Sequence, residues 1–147
     1  MIHLYETTFN ELSKLYHLNL ASNQLASMPE KIFFGLDTLI FLYLSSNNIV
    51  SLPDKIFSWL ENLVELDISS NNKEILSENL FEGLISLFEL DISLNKIFSL
   101  SDNIFDGLGN LNKILLKGNN FTTLNKSILY NLNQLNVDFF SNQILLN

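Results

Sequence analysis

Leucines recur along this chain at a fixed step: Leu15, Leu39, Leu63, Leu87, Leu111 and Leu135 are each 24 residues apart. Leu18, Leu42, Leu66, Leu90 and Ile114 trail that column by three, and Leu20, Leu44, Ile68, Ile92 and Leu116 trail by two more. An unbroken asparagine column follows: Asn23, Asn47, Asn71, Asn95 and Asn119. Three further apolar columns complete the unit. They are Met28, Leu52, Leu76, Leu100 and Leu124; Phe9, Phe33, Phe57, Phe81 and Phe105 with Leu129; and Leu12, Leu36, Leu60, Leu84, Leu108 and Leu132. Self-similarity at such a period is the mark of a stacked repeat architecture. The first half of each unit alternates apolar residues at a spacing of two and predicts a short strand. Parallel strands stack ~4.8 Å apart, so six of them cover about 24 Å. The second half returns along the opposite side, with the phenylalanines as a spine between sheet and return. A single unit cannot bury its own apolar face, so only the stack makes a continuous core.

The asparagines stand where the chain turns off the strand. A carboxamide donates and accepts at once, which suits strand-end backbone groups that would otherwise go unpaired. Two places break the pattern. Lys73 occupies a column held elsewhere by Leu25, Ile49, Ile97 and Phe121. Either its methylenes lie along the core with the ammonium reaching solvent, or the turn shifts so that Ile75 fills the gap. The last unit has also lost one residue, because Asn142 and Ile144 fall one short of the places that Asn119 and Phe121 predict. Val137 and Phe139 then take the inward strand positions, and Asp138 avoids burial.

Each unit reads LxxLxLxxNxLxxLxxxxFxxLxx and resembles the leucine-rich-repeat family over essentially the whole chain. The resemblance implies an α/β solenoid: a right-handed horseshoe with a parallel sheet on the concave side and an irregular or short-helical convex side. The whole of 1–147 is then one domain. A partial repeat covers 1–14, repeats start at Leu15, Leu39, Leu63, Leu87 and Leu111, and a partial repeat runs from Leu135. Leu-Pro after the turn (Leu52-Pro53, with Met28-Pro29) and the phenylalanine spine are similar to the 24-residue subtype of Toll-like receptors and Slit-type guidance proteins. Ser77, Ser101 and Asn125 replace that proline later on. Solenoids cap their terminal repeats, and extracellular members of the family usually do so with cysteine-rich caps. Both ends here fall within repeats, so the expectation is a piece of a longer array or a truncated reading frame, and in the first case a receptor or adhesion ectodomain that is extracellular or on the cell surface. A cytoplasmic adaptor or structural scaffold is the alternative.

Composition narrows the partner. The net charge is −8, and all 8 basic residues are lysines. Such a chain lacks the basic footprint that nucleic acid requires and favours a basic or neutral protein ligand. There is no cysteine, hence no disulfide framework or thiolate metal site. The residues Met1-Ile2-His3-Leu4-Tyr5-Glu6 lack the basic stretch and apolar run expected of a secretory leader, and no apolar run approaches the ~20 residues of a membrane span.

If Leu18, Leu20 and their equivalents point inward, alternate strand positions face the concave side. Those are His17, Asn19 and Ala21; Phe41, Tyr43 and Ser45; Glu65, Asp67 and Ser69; Glu89, Asp91 and Ser93; and Lys113, Leu115 and Lys117. The face is zoned from aromatic through acidic to basic. Phe41 and Tyr43 have no core duty in this register and are the kind of residue that anchors interfaces. The four carboxylates repel one another, which a cationic partner or a metal would relieve. Calcium wants six to eight oxygens, and the loops offer no further ligands. No metal or other cofactor is therefore expected, and the aspartates also suit a local scaffold role. The asparagines of Asn120-Phe121-Thr122 and Asn125-Lys126-Ser127 satisfy the glycosylation pattern on the turn and return segment. His3 and His17 are the only histidines, with no phosphate loop and no carboxylate pair in a suspected pocket, so the expectation is a binder rather than an enzyme.

Overall fold

The structure is a computed structural model that describes residues 4–122, 127–128 and 135–142. Six three-residue strands recur at the expected step: β1 (His17–Asn19), β2 (Phe41–Tyr43), β3 (Glu65–Asp67), β4 (Glu89–Asp91), β5 (Lys113–Leu115) and β6 (Asn136–Asp138). They form one parallel sheet in sequence order, with no crossover. Leu18, Leu42, Leu66, Leu90, Ile114 and Val137 are direct partners across it. Between strands the described chain runs as turns with almost no helix, so of the two convex sides the sequence allows, it is the irregular one.

The columns bury as the alternation demands. From Leu36 to Ile97 the strand leucines, the isoleucines after them and the column before them are sealed in the core. The phenylalanine spine stacks beneath the sheet, with ring centroids 5.9 Å apart for Phe33 and Phe57 and 6.4 Å for Phe81 and Phe105. The first repeat is less covered: Leu15 and Leu20 are half-buried, and Leu12 is 42% exposed. Among the described residues β1 has a strand neighbour on one side only, which leaves this part of the stack less covered.

The asparagine column forms a continuous ladder. Asn71 donates from Nδ2 to the carbonyls of Ile68 at 3.2 Å and Ser69 at 2.9 Å in its own repeat, and to Leu44 in the preceding repeat at 3.1 Å. Its Oδ1 accepts from the Ile49 N–H at 3.0 Å. Asn47 and Asn95 repeat this pattern. One residue before each asparagine the backbone is left-handed, at Ser22, Ser46, Ser70, Leu94, Gly118 and Ser141. That conformation reverses the chain and aims the carboxamide back under the sheet. A second, sparser set of clips lies before the strands, where Asn62 donates to the Asp37 carbonyl and Asn110 to the Ile85 carbonyl, each at 2.8 Å.

The shortened last repeat keeps its strand. One residue, Asn136, separates Leu135 from Val137, where every other repeat has two in that place, so the loss is absorbed at the bend before β6. Asn142 then rejoins the ladder, donating to Leu116 at 2.9 Å and Phe139 at 3.0 Å. Val137 and Phe139 pack against the core as expected, and Asp138 is half-buried while its carboxylate accepts the Phe140 N–H.

At the other irregularity, Ile75 is 63% exposed, so the turn has not shifted to bring it inward. Lys73 itself takes the core place and is only 2% exposed. Burial lowers its pKa from 10.5 to about 8. The expected Leu124, Leu129, Leu132 and the stretch 143–147 lie outside the described residues, as does His3.

Candidate functional site

Strand register decides which side chains meet on the open face of the sheet. Three rows cross it. The first, at the bend entering each strand, is Tyr16, Ile40, Val64, Phe88 and Asn112. The second is His17, Phe41, Glu65, Glu89 and Lys113, and the third Asn19, Tyr43, Asp67, Asp91 and Leu115. The second and third rows carry the zoning expected from the sequence. His17 and Asn19 are exposed, and the members from Phe41 to Lys113 are half-buried by their neighbours.

At the aromatic end the rings contact edge to face. His17 lies 5.0 Å from Tyr43 and 6.0 Å from Phe41, and Tyr16 lies 5.4 Å from Phe41, between ring centroids. Edge-to-face pairs hold one another in place and leave one flank of each ring to a ligand. Here His17 is a packing partner of two aromatics.

The acidic zone divides into two kinds of carboxylate. Asp67 and Asp91 each fold back on their own strand end, accepting the N–H of Ser69 at 2.9 Å and of Ser93 at 2.8 Å. Asn19 does the same for Ala21 and Asp138 for Phe140, so this row supplies a local turn brace in four repeats. Burial raises the Asp91 pKa above its ordinary value, against the lowering effect of the bonds from Ser93. The brace also corrects one expectation. Ser69 and Ser93 are buried, at 8% and 2% exposed, because the braced turn tucks these small residues under the sheet edge instead of onto the face.

Glu65 and Glu89 are the outward-facing carboxylates. Glu89 is joined to Lys113 at 2.7 Å, and that bond raises the lysine's pKa. Glu65 sits between Phe41 and Glu89 across the strands and makes no ion pair among the described residues. Its carboxylate helps to raise the Tyr43 pKa, second to burial of the ring. Lys117 is exposed beyond the acidic zone. Among the described residues no group of three or more carboxylates and histidines is placed to hold a metal ion.

The first row was not visible to strict alternation. Counting back by twos from Leu18 sends Tyr16 inward, yet Leu15 and Leu18 both face the core and the two residues between them both face out. The signal was the three-residue spacing of the two leucine columns, which is too long for one strand step and too short for two. The expected glycosylation positions divide as well. Asn120 is exposed on the turn, with its Nδ2 3.4 Å from the Lys96 carbonyl, whereas Asn125 lies outside the described residues. Clefts of about 410 Å³ lie on the return side, around Phe105–Leu111 and around Glu11–Leu15. The sheet face is a surface rather than a pocket. Among the described residues no helix is long and apolar enough to cross a membrane.

Known proteins match this architecture. A leucine-rich-repeat protein of Leptospira interrogans has a solved structure that superposes with a TM-score of 0.82 at 29% identity, covering 97% of this chain. The leucine-rich-repeat domain of APL1B superposes with a TM-score of 0.83 at 21% identity over 98% of this chain. The chain spans 35% and 42% of the lengths of those two. No curated protein matches it. Leucine-rich-repeat domains are typically non-enzymatic modules that mediate protein–protein interaction. The family profile described as leucine rich repeat matches residues 3–49 and 41–97, more than half of the sequence, and the chain belongs to the leucine-rich-repeat family.

Proposed function

We propose that this chain is the ligand-recognition part of a larger receptor or adhesion-type protein, acting outside the cell or at its surface, and that it binds a basic or neutral protein on the open face of its sheet without catalysis. The aromatic cluster supports this reading most directly. Phe41 and Tyr43 stand half-exposed on the sheet face, held by Tyr16 and His17, and contribute nothing to the core beneath. Large rings kept rigid on a surface lose little entropy on binding and are enriched among the residues that dominate interface energy. Glu65, next to them without an ion-pair partner, favours a cation on the ligand. An exposed Asn120 in a glycosylation pattern and the likeness to extracellular subtypes support the compartment.

The test compares immobilised wild-type protein with Tyr43→Ala and Glu65→Lys, each offered the secreted and cell-surface proteins of the source organism. A protein retained by the wild type and lost at least tenfold from both variants, with melting unchanged, supports the sheet face. Equal retention by all three moves the site elsewhere.

A further inference from the structure

The row Tyr16, Ile40, Val64 and Phe88 runs across the first four strands on the open side of the sheet. Its members are immediate neighbours: the N–H groups of Ile40, Val64 and Phe88 donate to the carbonyls of Tyr16, Ile40 and Val64, each at 2.9 Å. Tyr16 is 59% and Phe88 49% exposed, and Ile40 and Val64 are half-buried between them. At a strand spacing of ~4.8 Å the row is roughly 14 Å long. It stops where Asn112 takes the next place. Through the Tyr16–Phe41 contact at 5.4 Å it is continuous with the aromatic cluster, and the carboxylates of Glu65 and Glu89 belong to the row beside it.

We propose that this row seats the apolar face of a short, basic amphipathic α-helix of the protein ligand, laid across the strands with its lysines or arginines over Glu65. The inference rests on the open face being the binding face.

Two physical matches favour a helix. An amphipathic helix presents one apolar side chain per turn, every 5.4 Å, close to the strand step, so successive turns meet successive rungs. An extended peptide repeats its side chains on one side every ~6.8 Å and falls out of step within two rungs. A row of this length takes about ten helical residues, or nearly three turns. Strand addition is closed off along β2 to β5, which are hydrogen-bonded on both sides, and among the described residues only the outer edges of β1 and β6 stay open to it, away from the middle of the row.

Charge selects the sign. Four carboxylates and one lysine occupy the rows from β3 to β5, that lysine already pairs with Glu89, and Lys117 lies past the end of β5. Beside the apolar row the local excess is negative at Glu65. The rings of Phe41 and Tyr43 flank that position and also attract a cation.

A display library of random 16-residue peptides, panned on the whole chain, tests the inference. The expected enrichment is for sequences with lysine or arginine and with large apolar residues spaced three and four apart. The enriched peptides should gain helical circular dichroism on binding and lose at least tenfold in affinity for Val64→Asp and for Glu65→Lys. Phe88→Ser, at a half-exposed place, serves if Val64→Asp melts early. Enrichment of acidic or uncharged peptides, an apolar spacing of two, or no enrichment at all would overturn the helix. Enriched peptides that bind Val64→Asp, Glu65→Lys and Tyr43→Ala as tightly as the wild type would remove the open face itself and the proposed function with it.

Discussion

Replacing Lys73 by methionine stabilises the solenoid at neutral pH, and the size of the effect follows from where the lysine sits. Its column is otherwise Leu25, Ile49, Ile97 and Phe121, all at most 1% exposed, and Lys73 is 2% exposed with no ion pair among the described residues. Burial alone moves its pKa from 10.5 down to about 8. A tenfold change in an acid constant corresponds to about 1.4 kcal/mol, so the folded state carries a penalty of about 3 kcal/mol while the ammonium stays charged. The sign is opposite to that of an ion-paired lysine. Below pH 8 the group is protonated in both folded and unfolded chains, and the penalty is fully present. Between pH 8 and 10.5 the folded chain sheds its proton while the unfolded chain keeps it, so stability rises with pH. Above 10.5 both forms are neutral and the penalty has gone.

Methionine keeps the length of the side chain and fills the same space without a charge. The Lys73 Nζ keeps a small contact with solvent, so at pH 7 Lys73→Met should gain at most about 3 kcal/mol, with an upper bound of roughly 6–12 °C in Tm for a chain of this size. The assay is urea unfolding of both proteins at intervals from pH 6.5 to 10.5. Tyrosines and the other lysines titrate in both chains and cancel in the difference. That difference should shrink toward zero across pH 8 to 10.5. Parallel stability curves would show that the ammonium is solvated in the folded state and would refute the argument.

Two further predictions concern the frame that carries the face. Asn71→Ala leaves the buried Ile49 N–H without its acceptor and takes one of two donors from each of the Leu44, Ile68 and Ser69 carbonyls, and should lower stability by about 2 kcal/mol. Among the described residues Asn23→Ala removes two bonds, both within its own repeat, and should cost less than half as much by denaturant midpoint. Equal losses would mean that the bonds between repeats contribute little. Gly83 and Gly107 share a left-handed backbone, with φ of 88° and 83°, but a Cβ on Gly83 would lie 2.7 Å from the Ser58 carbonyl oxygen while one on Gly107 meets open space. Gly107→Ala should cost about 1 kcal/mol from the backbone alone. Gly83→Ala should cost clearly more, and equal melting temperatures would show that the Ser58 turn yields freely.

The frame was legible because each column answers one constraint. The strand leucines, the asparagine ladder and the phenylalanine spine each have a single place where their chemistry is satisfied, and repetition turns five weak signals into one strong signal. Where a residue had two physically acceptable places, sequence could not choose. Lys73 and Ile75 are one case: adjacent columns competed for one core position, and the asparagine ladder decided it, since Lys73 is the residue whose N–H Asn95 binds at 3.1 Å. A turn pinned by that bond cannot slide to bury Ile75, even at the expense of desolvating an ammonium. Ser69 and Ser93 are another, drawn inward by carboxylates that brace the turn and so face the ligand less freely than their charge suggested.

The open face shows why function is harder to read than fold in such a chain. Core columns are constrained to repeat, whereas face rows are free to vary, so a face feature appears in sequence only as a departure with no template. Tyr16, Ile40, Val64 and Phe88 look in sequence like spare positions beside the leucine columns. The bend between Leu15 and Leu18 and its equivalents makes them one surface, and the backbone bonds from strand to strand fix their spacing. That spacing belongs to the scaffold, while the identities of the side chains belong to the ligand. The apolar row ends at Asn112, where Lys113 replaces the acidic run in the adjoining row. Two rows changing character at the same strand set the C-terminal limit of the footprint proposed above, which would cover β1 to β4 with Lys113 of β5 at its edge.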